Sequence, residues 1–282
     1  MASNVALHPT GNHRWFSGFG NIFSKENHQW WGTRKWLIQV AVWLVLINGM
    51  VLFISVILPN LSKTNQALQT VSASEAAEIK ATFANQGLVY FFIMSGMVAG
   101  AGVAIFAQDA LIGEKRNGTA AWMLSKPVSR SAFVLAKLTA DAIGILITIV
   151  IVQGVIGYFI LTVGTGISLQ VPNYLAAMGL VAMFLFFFLS LTYMLGTLSN
   201  SRSLVVGIPL LVIFLANFGN LVPVLVKIMP WNLILDTRYS PSIAIMLAKG
   251  EPLTIITPII GTAVMTILFI VVAAWRINRE EF

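Results

Sequence analysis

Cysteine is absent from the 282-residue chain, and charged side chains make up only 10% of it. The first absence excludes disulfides, thiolate metal sites and a cysteine nucleophile, and carries no information about compartment. The second separates the chain from soluble domains, in which about a quarter of residues are charged and about 45–50% apolar; here 57% are hydrophobic. With a mean hydropathy of +0.85, lipid is the expected solvent for most of the chain. Histidine is scarce as well. His8, His13 and His28 all precede the first apolar run, so no H-E-x-x-H site can form. Paired aspartates and serine–histidine couples are missing from the apolar runs, which argues against a membrane enzyme. No charged residue sits at the middle of a run, which argues against a proton relay. There is no internal repeat, low-complexity tract or soluble domain. The first 35 residues lack the basic tip and short apolar run of a signal peptide, so the mature chain is expected to start at Met1.

What the chain does have is six apolar windows, at 36–58, 87–107, 142–163, 174–198, 204–226 and 255–275, the third extending back toward Ala132 to take in Lys137 and Asp141. About 20 apolar residues cross a bilayer core, and lipid cannot satisfy unpaired backbone amides, so each window is expected to be a helix. Barrel strands would alternate polar and apolar residues, and these do not. The net charge of +7 comes from short basic clusters at the ends of windows. No continuous basic stripe exists, so no nucleic-acid partner is expected. Placing both termini on one side puts twelve Lys and Arg there against five opposite, which makes that side cytoplasmic. The expected fold is therefore an all-α polytopic membrane protein with a single transmembrane domain over residues 1–282. It comprises an interfacial elbow at 1–35, a six-span bundle at 36–275 and a cytoplasmic tail at 276–282.

The connections differ in character. Residues 60–86 form a polar outer loop with a helical look, and "SNSRS" at 199–203 is a tight inner turn carrying Arg202. Residues 227–254 hold two apolar stretches too short to span, punctuated by Pro230, Pro241 and Pro252, as a re-entrant or interfacial hairpin on the outer face would. At the N-terminus, Trp15, Phe16, Phe19, Ile22 and Phe23 fall on one helical stripe. Trp30, Trp31 and Trp36 follow just before the first span. This reads as a helix lying in the cytoplasmic interface with its aromatic face among headgroups. It serves either as a simple anchor or as an elbow that also touches a partner through Lys25, Glu26 and Asn27.

Between the second and third windows stands "GEKRNGTAAWMLSKPVSR" (113–130). Its two glycines imitate a phosphate loop, but the lysine that should follow the second is missing and no strand precedes it, so ATP hydrolysis by this chain is not expected. Thr119 is placed to cap a helix start. The run Ala120–Leu124 makes about 1.5 helical turns and ends where Lys126 precedes Pro127, a position that disfavours α geometry. Ser129 is placed to cap the next helix. Burying Trp122, Met123 and Leu124 would contribute roughly 5–8 kcal/mol at about 1.5–3 each, so this short helix wants a protein partner or the lipid interface.

The arrangement resembles a permease of the type-2 ATP-binding cassette exporter family. The matching features are Glu114 before Gly118 and Thr119, then Leu124, the run Pro127–Arg130 and Lys137. The amphipathic elbow, six spans, outer hairpin before the last span and arginine-bearing tail extend the likeness over nearly the whole chain. The resemblance implies a half-transporter: two permeases, identical or related, above two separate nucleotide-binding ATPase subunits. ATP and Mg would bind those partners, and this chain would bind no cofactor or metal. Residues 113–130 would hold the coupling helix, with Trp122, Met123 and Leu124 as knobs and Pro127 and Arg130 as frame. The Asn200–Ser203 turn would be a smaller contact. The membrane would be a bacterial or archaeal cytoplasmic (inner) membrane.

Other residues leave alternatives open. Gly96 and Gly100 make a small-xxx-small face that suits packing within one subunit or approach at a dimer seam. Asn217 and Asn220, with Pro209 and Pro223, interrupt the fifth window. They either bridge helices or line a pathway, as the family's fifth span would, and Asn48 in the first window poses the same choice. A largely uncharged pathway favours a hydrophobic or amphipathic cargo. The rival readings are a stand-alone carrier or channel and a non-transporting assembly protein; partnership with an ATPase separates them from the exporter.

Overall fold

The computed structural model describes residues 16–64, 72–221, 228–237, 240–253 and 255–279. Among these residues there is no strand; the sole β feature is an isolated bridge between Thr237 and Ser240. Five helices are long and apolar enough to cross a membrane: Lys35–Leu61, Ala77–Arg116, Arg130–Gly164, Val171–Leu198 and Thr257–Asn278. They are called here the first, second, third, fourth and last spans. A sixth apolar helix, Arg202–Phe218, is shorter. It carries Pro209 in its interior and tightens into a 3-10 turn at Ala216–Leu221, and the remainder of the 204–226 window lies outside the described residues.

Local sequence sets several of these boundaries. Pro172 and Pro258 stand in the first turn of the fourth and last spans, where a missing amide proton costs nothing. The Ser129 hydroxyl accepts from the Ala132 amide and starts the third span, as its placement suggests. On the opposite end of the bundle, the helical look of the 60–86 connection corresponds to a helix over its latter part. A capping box between Ser72 and Glu75 starts a helix at Ala73 that runs directly into the second span. The Ala- and Glu-rich composition there favours helix, and a reciprocal cap satisfies two orphan amides. The short apolar stretches before the last span are the helices Trp231–Ile234 and Ile243–Lys249, which pack on each other and on the fourth span.

The core is built around the fourth span, which packs against the last span, against Ala99–Ala107 of the second and against Ile243–Lys249. Phe187 meets Phe269 edge to face with centroids 5.3 Å apart, and Phe184 and Phe188 continue the aromatic layer. Both spans are regular α-helices. The first three are not: π turns interrupt them at Leu44–Gly49, Phe53–Ile57, Met94–Val98, Leu146–Ile151 and Ile160–Gly164.

Candidate functional site

The elbow helix, Phe19–Trp31, lies against the start of the third span. Its inward stripe is Ile22, Glu26 and Trp30, spaced i, i+4, i+8 on one helical face. The expected aromatic stripe divides. Phe19 and Phe23 stack on each other and pack partly buried against the protein core, while Phe16 is exposed. Trp15 lies outside the described residues.

Glu26 points to Lys137, whose ammonium sits 2.8 Å from Glu26 Oε1 and 2.8 Å from Glu114 Oε1. Lys137 is only 5% exposed, so the two carboxylates replace its water. Lys25 stands 3.8 Å from Glu26 and 3.9 Å from Glu114. One helical turn beyond Lys137, Asp141 accepts from the Trp30 indole at 2.8 Å and from the Tyr193 hydroxyl at 2.6 Å. Gly144 makes room for the Trp30 ring, because a Cβ there would strike it. The Lys35 ammonium lies over Trp30 and Phe106, 4.7 and 4.3 Å from the ring centroids. Half-exposed Arg202 meets Asp109 at 2.7 Å. Three carboxylates, Glu26, Glu114 and Asp141, thus balance three ammonium groups, Lys25, Lys35 and Lys137. Such a neutral network, buried at Lys137 and Asp141 and open at Lys25, adds little net stability but fixes which groups must meet.

A polar cavity of about 430 Å³ opens beside this cluster, lined by Gln29, Lys35, Asp109, Glu114, Asn117 and Thr119 among others. Below it the chain turns through Asn117 and Gly118, whose φ of 70° suits glycine, into the short helix Thr119–Leu124. The Thr119 hydroxyl donates to the Glu114 carbonyl at 3.2 Å, so it ties the helix to the preceding one instead of capping its amides. Met123 is turned inward, 8% exposed, against Lys25. That corrects its expected part as an outward knob, since neighbours on a helix point about 100° apart. Trp122 is 62% exposed, with the Lys126 ammonium 3.7 Å from its centroid. The Leu124 side chain lies outside the described residues.

The rest of the turn, Pro127–Ser131, is stapled to the elbow and to the end of the last span. Ser17 donates to the Pro127 carbonyl and accepts from the Ser129 amide, both at 3.0 Å. Arg130 donates to the Asn278 carbonyl at 3.0 Å, and Ser131 pairs with the Asn278 side chain. The structure therefore brings Glu26, Trp30, Glu114, Met123, Pro127, Arg130 and Arg202 to one end of the bundle.

The remaining candidates lie elsewhere. Gly100 is closed by Phe184 and Phe188, and Gly96 by Ile234, so both serve packing within the chain. Asn217 is exposed and bonds its own helix at the Phe214 carbonyl; the Asn220 side chain lies outside the described residues. Asn48 is buried and donates to Gln153 in the third span, bridging helices. Asp141 with Tyr193 was missed as a pair, although Lys137 and Asp141, four apart on an apolar helix, mark one charged face. Among the described residues, no group of three or more His, Cys, Asp or Glu could hold a metal.

A bundle of long apolar helices with charge confined to the helix ends and connections defines a multi-pass membrane protein. The family model of the ABC-2 family transporter proteins matches residues 21–281, from within the elbow to the tail, and the chain belongs to that family. Its role is that of the membrane subunit of an ATP-binding cassette transporter. No curated protein matches the chain.

Proposed function

We propose that the chain is the permease of an exporter, a single membrane domain that pairs with a second permease and rides on two separate ATPase subunits. The charge-rich end faces the cytoplasm with both termini, in the inner membrane of a bacterium or archaeon, and Arg202–Phe218 belongs to a sixth span. The helices Trp231–Ile234 and Ile243–Lys249 form the outer hairpin. ATP and Mg reside on the partner. The observation that carries this reading is Trp122, an exposed indole beside the inward-turned Met123.

The mechanism follows from the ties. A force on the Thr119–Leu124 helix reaches Glu114, passes through Lys137 to the third span, and reaches the elbow through Glu26 and Ser17. ATP-driven closure of the partners then biases one of two bundle states, which requires only that the ATPases bind the two states differently. The cargo is hydrophobic or amphipathic, in keeping with spans that carry charge only near their ends. The test is co-purification. Trp122→Ala is expected to leave the permease folded and to lose a partner that carries G-x-x-x-x-G-K-[ST]; wild-type protein that never brings such a partner would overturn the reading in favour of a stand-alone carrier.

A further inference from the structure

Two buried polar atoms in the middle of the bundle have no hydrogen-bond partner within the described residues: Asn48 Oδ1 and Ser95 Oγ. Asn48 stands at the midpoint of Lys35–Leu61, where lipid offers no hydrogen bond. Its orientation is determined by its neighbour. The Gln153 amide nitrogen is committed to the carbonyls of Val40, at 3.2 Å, and Thr148, at 3.1 Å. Gln153 Oε1 must therefore accept, and it does so from Asn48 Nδ2 at 2.8 Å. A flipped Asn48 would set oxygen against oxygen, so its Oδ1 is left aimed away from Gln153 as an unused acceptor.

Ser95 is the exception among the buried hydroxyls of the spans. Ser55, Thr148, Thr192 and Thr262 each donate to the carbonyl one turn back, at 2.6 to 2.7 Å. Two of these, Ser55 and Thr148, lie inside π turns themselves, so a π turn does not by itself prevent the bond. Ser95 is fully buried and makes none. Its π turn, Met94–Val98, packs against the π turn Leu44–Gly49 that holds Asn48.

A buried acceptor and a buried hydroxyl on contacting turns, both unpaired, have the chemistry of a water site: an acceptor for one of the water's protons, and a hydroxyl that donates or accepts. We infer that a single ordered water bridges Asn48 Oδ1 and Ser95 Oγ, joining the first three spans through Gln153 at mid-bilayer. The site lies where three irregular helices meet, so a water able to exchange partners lets those spans shift without stranding a polar atom.

X-ray hydroxyl-radical footprinting in ¹⁸O water, on the full chain in nanodiscs, tests this. Met94 and Met97 flank Ser95 and report radicals formed on a trapped water, while Met183 on the fourth span is the reference. The expected result is ¹⁸O oxidation of Met94 or Met97 several-fold above Met183, falling to the Met183 level in Ser95→Ala. Equal oxidation at all three in the wild type, or oxidation unchanged by Ser95→Ala, would overturn it. A high-resolution density map gives the second readout. An isolated peak between the two atoms supports the site; a direct Asn48–Ser95 bond, or density larger than one water, contradicts it.

Discussion

The fourth and last spans meet as uninterrupted α-helices through an aromatic layer, Phe187 on Phe269. The first three spans are broken by five π turns among the described residues, and they and the elbow helix are joined by ions and amides: Lys137 to Glu26 and Glu114, Trp30 to Asp141, Asn48 to Gln153. In lipid no hydrophobic force draws helices together, so close packing or polar contact must do it. The first region uses packing and makes a frame. The second uses pairs that can be exchanged and makes an articulated part, and the inner turn belongs to it. π turns inside otherwise α-helical segments often accompany functional sites.

The comparison breaks most severely at Lys137. Lys137→Met strands two carboxylates in a buried site and is expected to cost about 3–5 kcal/mol. The loss should be visible as a lowered thermal midpoint in detergent, and adding Glu26→Gln and Glu114→Gln should recover much of it. In the frame, Phe187→Ala removes packing without stranding a charge. We expect a loss of about 3 kcal/mol and no recovery from any charge substitution. A sharper probe of the articulated part is Gly144→Ala. Its Cβ would collide with the Trp30 ring, displace the indole from Asp141 and cost about 1–3 kcal/mol, with a red-shifted tryptophan emission as the second readout.

The smallest effect lies at the start of the helix at Ala73. The Ser72 hydroxyl and then the Ser72 amide, bonded to Glu75, hold its carboxyl below the usual glutamate value. A lowered folded value means the cap contributes above the ordinary carboxylate range, about 4.3, and is lost as pH falls through the lowered value. Amide exchange at Ala73–Ile79 should therefore quicken in acid beyond its intrinsic pH dependence, while exchange in the fourth span should not.

Much of this was legible in the chain and some was not. Hydropathy located the long helices and Pro127 ended the inner one, because both rest on local chemistry. The family likeness rested on Glu114, Gly118, Thr119 and Lys137, and the family match now covers them. The inward turn of Met123 and the elbow face at Ile22, Glu26 and Trp30 were not legible. Apolar and aromatic side chains suit lipid and protein equally, so periodicity in a membrane chain marks a face without saying what covers it. The Glu26–Lys137 and Trp30–Asp141 contacts join residues 111 positions apart, a separation on which no local pattern bears. The helical start at Ala73 was readable from Ser72 and Glu75, three residues apart as a capping box requires.

The most direct measurement places a single cysteine at Trp122, in a chain that otherwise has none, and attaches a photo-crosslinker in native membranes. Our account predicts an adduct to a separate protein bearing G-x-x-x-x-G-K-[ST]. An adduct to lipid alone, with no such protein captured, would contradict it.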